Sequence, residues 1–135
     1  MSEYAAGDHR LLRAALLLDS MLEGALGLLC IVLADAVARA LGLVQANATL
    51  WLRLFGFVLI AYGALLLWVA FQQRVSRRVT QLTIVLNLVW ALAVIAVLST
   101  GAFGLSPSGR TILIAVTGAV LLLTVLEYAG LRKLE

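Results

Sequence analysis

The sequence predicts an all-α integral membrane protein, a four-helix up-down bundle with both termini cytoplasmic, built as one domain over residues 1–135. Three observations predict it: an extreme apolar composition, four long apolar stretches, and an uneven sorting of cationic residues between the links. Of the 135 residues 64% are hydrophobic and 13% charged, with a mean hydropathy of +1.09. A soluble domain carries roughly 45–50% apolar and about 25% charged residues. A chain this short has too little interior to hide so much leucine, valine and alanine from water, which argues against a soluble enzyme. One Cys, one His and one Pro also leave no disulfide framework, no Cys/His metal cluster and no Cys-His catalytic pair. No metal site, cofactor or catalytic residue is therefore expected.

A hydrocarbon core about 30 Å thick needs roughly 20 apolar helical residues. Spans are expected over about residues 11–43, 50–71, 79–98 and 111–131. The first carries Asp19, Glu23, Asp35 and Arg39, and the second has Arg53 near its start. The third contains no ionisable residue, with Asn87 its only strongly polar interior side chain, while the fourth contains only Glu127 before its terminal Leu131. Turn chemistry separates them at Gly42 with Gln45-Ala46-Asn47, at Gln72-Gln73-Arg74, and from Gly101 to Gly109 through Ser106-Pro107-Ser108. Short links between helices predict sequential antiparallel neighbours. A β-barrel would instead need segments of about ten residues alternating apolar and polar, and these stretches are continuously apolar. Ala36-Val37-Ala38 has the form of a signal-peptide cleavage site, but Asp19 and Glu23 interrupt the apolar run before it, so the first stretch is expected to remain as a span.

Orientation follows from the cationic residues of the short links. Arg10, Arg13, Arg74, Arg77, Arg78, Arg132 and Lys133 fall on one side, against Arg39, Arg53 and Arg110 on the other. The seven-to-three bias puts both termini in the cytoplasm. The net charge of +3 then reflects topology and anionic lipid, and without a basic stripe interleaved with aromatics no nucleic-acid partner is expected. Membrane lipid, a homodimer or a larger membrane complex are the expected partners.

Charge in the hydrocarbon layer is costly, at about 3 kcal/mol or more per group at the centre, so intramembrane carboxyls are the first candidates for a site. Asp19 and Glu23, four residues apart, share one helical face and must look into the bundle. At about 1.5 Å per residue Glu23 lies about 12 Å deep, and Asn87 of the third span reaches a similar level. Glu127 sits toward the cytoplasmic end of the fourth span. Tyr62 and Tyr128 can reach the neighbourhood, and Trp90, three residues after Asn87, shares its face. Asp19, Glu23, Asn87, Glu127, Tyr62 and Trp90 are therefore the candidate ligand- or proton-binding residues. The competing reading pairs Asp19 and Glu127 with nearby arginines or Lys133 and makes Asn87 a cross-helix hydrogen bond worth about 1 kcal/mol. In the outer half, Asp35 and Arg53 are expected to form a structural ion pair. Gly24, Gly27, Gly56, Gly63 and Gly118 are read as close-packing positions between helices.

The residues Asp19-x3-Glu23-Gly24, Arg53-x2-Gly56-x5-Tyr62, Asn87-x2-Trp90 and Glu127-Tyr128-x-Gly130-Leu131-Arg132 resemble those of small four-span bacterial inner-membrane proteins of the DoxX-like type and related domains of unknown function. The resemblance covers the whole chain and implies a bacterial plasma (inner) membrane location without an established activity. Small multidrug resistance transporters are similarly short and use a Glu in the first span with aromatics in the third, an outline that Glu23 and Trp90 follow. The seven-to-three charge bias and the additional Asp19 and Glu127 depart from that pattern. Two functional classes follow: a structural or accessory membrane protein whose polar cluster sets helix register, and a minimal proton-coupled small-molecule carrier or ligand-binding bundle using Glu23. No broken span and no Pro inside a helix is expected, which favours the first class slightly.

Overall fold

The computed structural model describes the backbone of residues 2–133 and the side chains of residues 9–133. Five α-helices and one 3₁₀ turn form: α1 Ser2–Val32, α2 Ala34–Leu41, α3 Ala48–Ala70, α4 Arg77–Thr100, the 3₁₀ turn Ala102–Gly104, and α5 Pro107–Arg132. No strand occurs among the described residues. Four segments are long and apolar enough to cross a bilayer: His9–Val32, Ala48–Ala70, Arg77–Thr100 and Pro107–Arg132, with mean hydropathies of 1.9, 2.1, 2.5 and 2.2.

The last three expected spans each coincide with one helix, which runs past the apolar limit where a cap supplies the stop. Ser76 accepts a hydrogen bond from the Val79 N–H at 3.3 Å to start α4, and Ser106 accepts one from the Gly109 N–H at 3.1 Å to start α5, with Pro107 in the first turn. Gly101 closes α4 at φ +69°, a conformation that glycine adopts without steric cost. The first expected span differs. Its helix changes direction at Leu33, whose φ of −114° and ψ of 38° leave helical space, so the apolar crossing ends at Val32 and α2 is a separate short helix. Hydrogen bonds continue across the bend from the Leu33 N–H to the Leu29 carbonyl and from the Val37 N–H to the Leu33 carbonyl, both 2.9 Å, which keeps α2 attached at a fixed angle.

Each long helix buries one stripe at spacings of three and four residues. On α1 the stripe is Leu12, Ala15, Leu16, Asp19, Ser20, Glu23, Gly27 and Cys30; on α4 it is Thr80, Thr83, Asn87, Ala91 and Val94. Large apolar side chains cover the outside instead, Val32, Leu92 and Phe57 among them, which suits a surface solvated by lipid. α1 is the central helix. It packs along α3 and α5, and α4 packs on α5, whereas α3 and α4 meet less closely, through side chains such as Tyr62 with Asn87 and Phe55 with Trp90.

Glycine sets the closest approaches. A Cβ on Gly27 would stand 2.7 Å from the Gly56 carbonyl oxygen, and one on Gly56 would stand 2.6 Å from that of Gly27, so α1 and α3 touch backbone to backbone. Gly63 lies against Ser20 in the same seam, and Gly130 of α5 lies against Leu12 of α1. Gly24 and Gly118, expected among the packing positions, have nothing within 4 Å of an added Cβ.

Candidate functional site

Asp19 and Glu23 from α1, Asn87 from α4 and Glu127 from α5 meet inside the bundle, as the sequence predicts. Asp19 and Glu127 are fully buried, Asn87 is 3% exposed and Glu23 6%. Asn87 is the hub. Its amide nitrogen donates to Asp19 Oδ2 at 3.3 Å and to Glu127 Oε2 at 3.5 Å, while its amide oxygen accepts from the Tyr62 hydroxyl at 3.4 Å. The Asp19 and Glu127 carboxyls are thus brought together on one amide, with Glu23 one helical turn from Asp19 on α1.

Two of the cationic residues expected to neutralise Asp19 and Glu127, Arg13 and Arg132, turn elsewhere. Arg13 instead donates to the Ala70 carbonyl at 2.7 Å and to the Gln72 carbonyl at 2.8 Å. These lie at and just past the end of α3, where helix carbonyls lack intrahelical partners, and a guanidinium serves them without leaving the interface. Arg132 lies over the Tyr128 ring, 6.0 Å from its centroid, and both are exposed. Tyr128 is thus turned away from the cluster. Arg13 and Arg132 are thus engaged away from Asp19, Glu23 and Glu127, and Oδ1 of Asp19 and Oε1 of Glu127 meet no N–H or hydroxyl donor among the described residues.

The expected Asp35 to Arg53 ion pair is not formed either. Both side chains are exposed, and the bend at Leu33 redirects the helix segment carrying Asp35. That end of the bundle is held by neutral contacts in its place. The hydroxyls of Ser106 and Ser108 donate to the Ala40 carbonyl at 3.2 and 2.9 Å, the Ser106 N–H donates to the Leu41 carbonyl at 3.1 Å, and Gly109 lies against Leu41.

A cavity of about 230 Å³ lies inside the bundle, with Glu23 of α1, Tyr62 of α3 and Asn87 of α4 as its polar lining and Leu52, Leu59 and Val116 among its apolar walls. A second cavity of about 580 Å³ continues it toward Trp51, Asn47 and Phe103, and the two share Phe55, Trp90, Leu52, Leu41 and Leu113. Phe55 and Trp90 are stacked between α3 and α4, with centroids 5.6 Å apart and planes 17° from parallel. Trp90 is therefore at the junction of the cavities and not in the cluster itself, with its indole N–H facing no acceptor.

Phe55 belongs to the site and was not singled out in the sequence, and Thr83 is buried on the same face of α4 as Asn87. Thr80, Thr83 and Asn87 repeat at three and four residues on α4, as Thr117, Thr124 and Glu127 do at seven and three on α5. That spacing was the available signal for polar faces turned inward. Phe55 carried none, since an aromatic residue in an apolar span reads equally well as lipid-facing. Among the described residues no group of His, Cys, Asp and Glu is placed to hold a metal ion.

Comparison with family models, curated protein sequences and solved structures finds no match to this chain, so the DoxX-like resemblance brings no residue role to the site.

Proposed function

We propose that the protein is a small multi-pass membrane protein whose Asp19–Glu23–Asn87–Glu127 cluster binds a proton and, through Glu23, a small ligand: the carrier or ligand-binding class, not the purely structural one. The observation that carries this reading is a set of three buried carboxyls, with Asp19 Oδ1 and Glu127 Oε1 unpartnered among the described residues, beside a cavity that reaches Glu23. A carboxyl kept only to set helix register is stabilised by pairing or dense packing, because an unpaired charge costs several kcal/mol in such surroundings. Here a proton relieves that cost, and open volume lies next to the group that holds it. The four spans run in up-down order across a bacterial plasma membrane with both termini in the cytoplasm, which places the cluster in the cytoplasmic half.

The test is Glu23→Gln in proteoliposomes, followed by pH-gradient-driven proton flux and by the infrared band of protonated carboxyls. The amide keeps the volume, so the fold should persist while flux and the titrating part of the band are lost. A variant with wild-type flux and an unchanged titrating band returns the cluster to a structural role.

A further inference from the structure

The larger cavity, about 580 Å³, has a chemistry distinct from that of the carboxyl cluster. It lies at the end of the bundle where the link between α2 and α3 meets the 3₁₀ turn after α4. Gln45 of that link donates through Nε2 to the Phe103 carbonyl at 3.3 Å, which ties the two connections together beside the cavity. The walls are mostly apolar, with Trp51, Val94 and Val97 among them, and the stacked Phe55 and Trp90 rings stand where this space meets the smaller cavity. Its volume falls within the roughly 300–1,000 Å³ of small-molecule sites.

Two features of the lining select an occupant. Among the described residues no Asp, Glu, His, Lys or Arg lines this cavity, so a charged group entering it would lose its hydration and gain no counter-ion. Trp90 brings a donor that is not used: its indole nitrogen is buried and meets no acceptor among the described residues. An indole N–H can only donate, and when buried it ordinarily has a partner. The other polar side chains of the lining, Gln45 and Asn47, belong to exposed residues of the link. The interior of the cavity therefore calls for an acceptor and no charge.

We propose that this cavity binds an uncharged, largely apolar small molecule carrying a ketone or ester carbonyl, its apolar part against Trp51, Val94 and Val97 and its carbonyl oxygen accepting from the Trp90 indole N–H. The aromatic pair offers a flat surface to an aryl group beside that carbonyl. This occupant needs neither Glu23 nor a proton, and so goes beyond the function proposed above. Because no titratable side chain lines the cavity, its affinity is the same from about pH 6 to about pH 8.

The experiment uses the full chain in phosphatidylcholine nanodiscs with three molecules of related shape: benzophenone, diphenylmethane, which lacks the carbonyl oxygen, and 4-benzoylbenzoate, which adds a charge. Benzophenone is photo-activated in place and its adducts are mapped by mass spectrometry, while the other two are measured as competitors at equal concentration in the bilayer. The adducts should saturate and collect on Trp51, Val94 and Val97. Diphenylmethane should compete about three- to tenfold less well, the range of one net hydrogen bond, and 4-benzoylbenzoate about tenfold less well or worse. Trp90→Phe keeps a stacked ring without the N–H and should bring benzophenone down to the level of diphenylmethane. Ala93→Phe, which fills the cavity from an exposed position on its wall, should abolish the adducts. Should Trp90→Phe fail to fold, the comparison of benzophenone with diphenylmethane on the unaltered protein still decides. Equal competition by diphenylmethane overturns the acceptor, and equal competition by 4-benzoylbenzoate overturns the selection for an uncharged ligand. Adducts that do not saturate and scatter over exposed residues such as Phe57 and Leu92 overturn the site itself.

Discussion

At the scale of single residues, Asn87 does what a cation was expected to do. One side-chain amide satisfies two carboxyls and a tyrosine hydroxyl from three other helices, and a neutral amide is far cheaper to bury than an ammonium or guanidinium. Asn87→Leu should therefore destabilise the bundle by about 1–3 kcal/mol, because Asp19 and Glu127 lose their donor inside the apolar interior. Tyr62→Phe, which removes one hydrogen bond at the cavity wall, should cost about 0.5–1.5 kcal/mol. Melting midpoints in detergent check both, and an Asn87→Leu protein that melts with the wild type would show that the carboxyls find other donors. The identity of these polar residues was legible because buried polarity stands out against leucine and valine. Their pairing was not legible, since Arg13 had two chemically sound choices and only the end of α3 beside it selects the carbonyls.

At the scale of helices, contact between α1 and α3 depends on having no side chain where the backbones meet. Gly27→Leu or Gly56→Leu should lower stability by about 1–3 kcal/mol or more, since the neighbour at each site is rigid backbone that cannot move aside. Gly118→Leu and Gly24→Leu, with nothing within 4 Å of an added Cβ, should melt close to the wild type and serve as controls. Detergent melting curves of the four variants read the difference, and equal midpoints throughout would mean that the α1–α3 seam carries no weight. The sequence distinguishes none of these glycines by spacing: each lies in an apolar run, and which one meets a partner is set by helix rotation. The bend at Leu33 is a similar case. It falls in an unbroken apolar stretch with no Pro or Gly at the bend, and its outcome is the α2 to α5 contact through Ala40, Leu41 and Ser106.

At the scale of the molecule, four spans and a seven-to-three distribution of cationic side chains predict cytoplasmic termini. A cytoplasm-active reporter fused after Glu135 should be active, and a well-expressed silent fusion would sink the assignment. The arrangement of the spans has its own consequence. With α1 central, the bundle is closed on the α1–α3 side by glycine contacts and on the α3–α4 side, over the cavities, by the Phe55–Trp90 stack. A cross-link between cysteines placed at 55 and 90 should hold that side shut and suppress the proton flux of the wild type if that side is the working access, while flux unaffected by the cross-link would place the access elsewhere.

The sequence by itself determined that this is a helical protein with four apolar segments long enough to cross a bilayer, where its turns fall, and which polar side chains must turn inward. Those properties follow from hydropathy and from the 3.6-residue repeat, both local to the chain. Only the tertiary structure decided that Arg13 turns to the end of α3 and not to the carboxyls, that Asp35 and Arg53 are both exposed, and that the helices leave a cavity beside Glu23. Each of these depends on the rotation and spacing of helices distant in sequence, and an apolar residue facing lipid is written in the same alphabet as one facing a neighbouring helix.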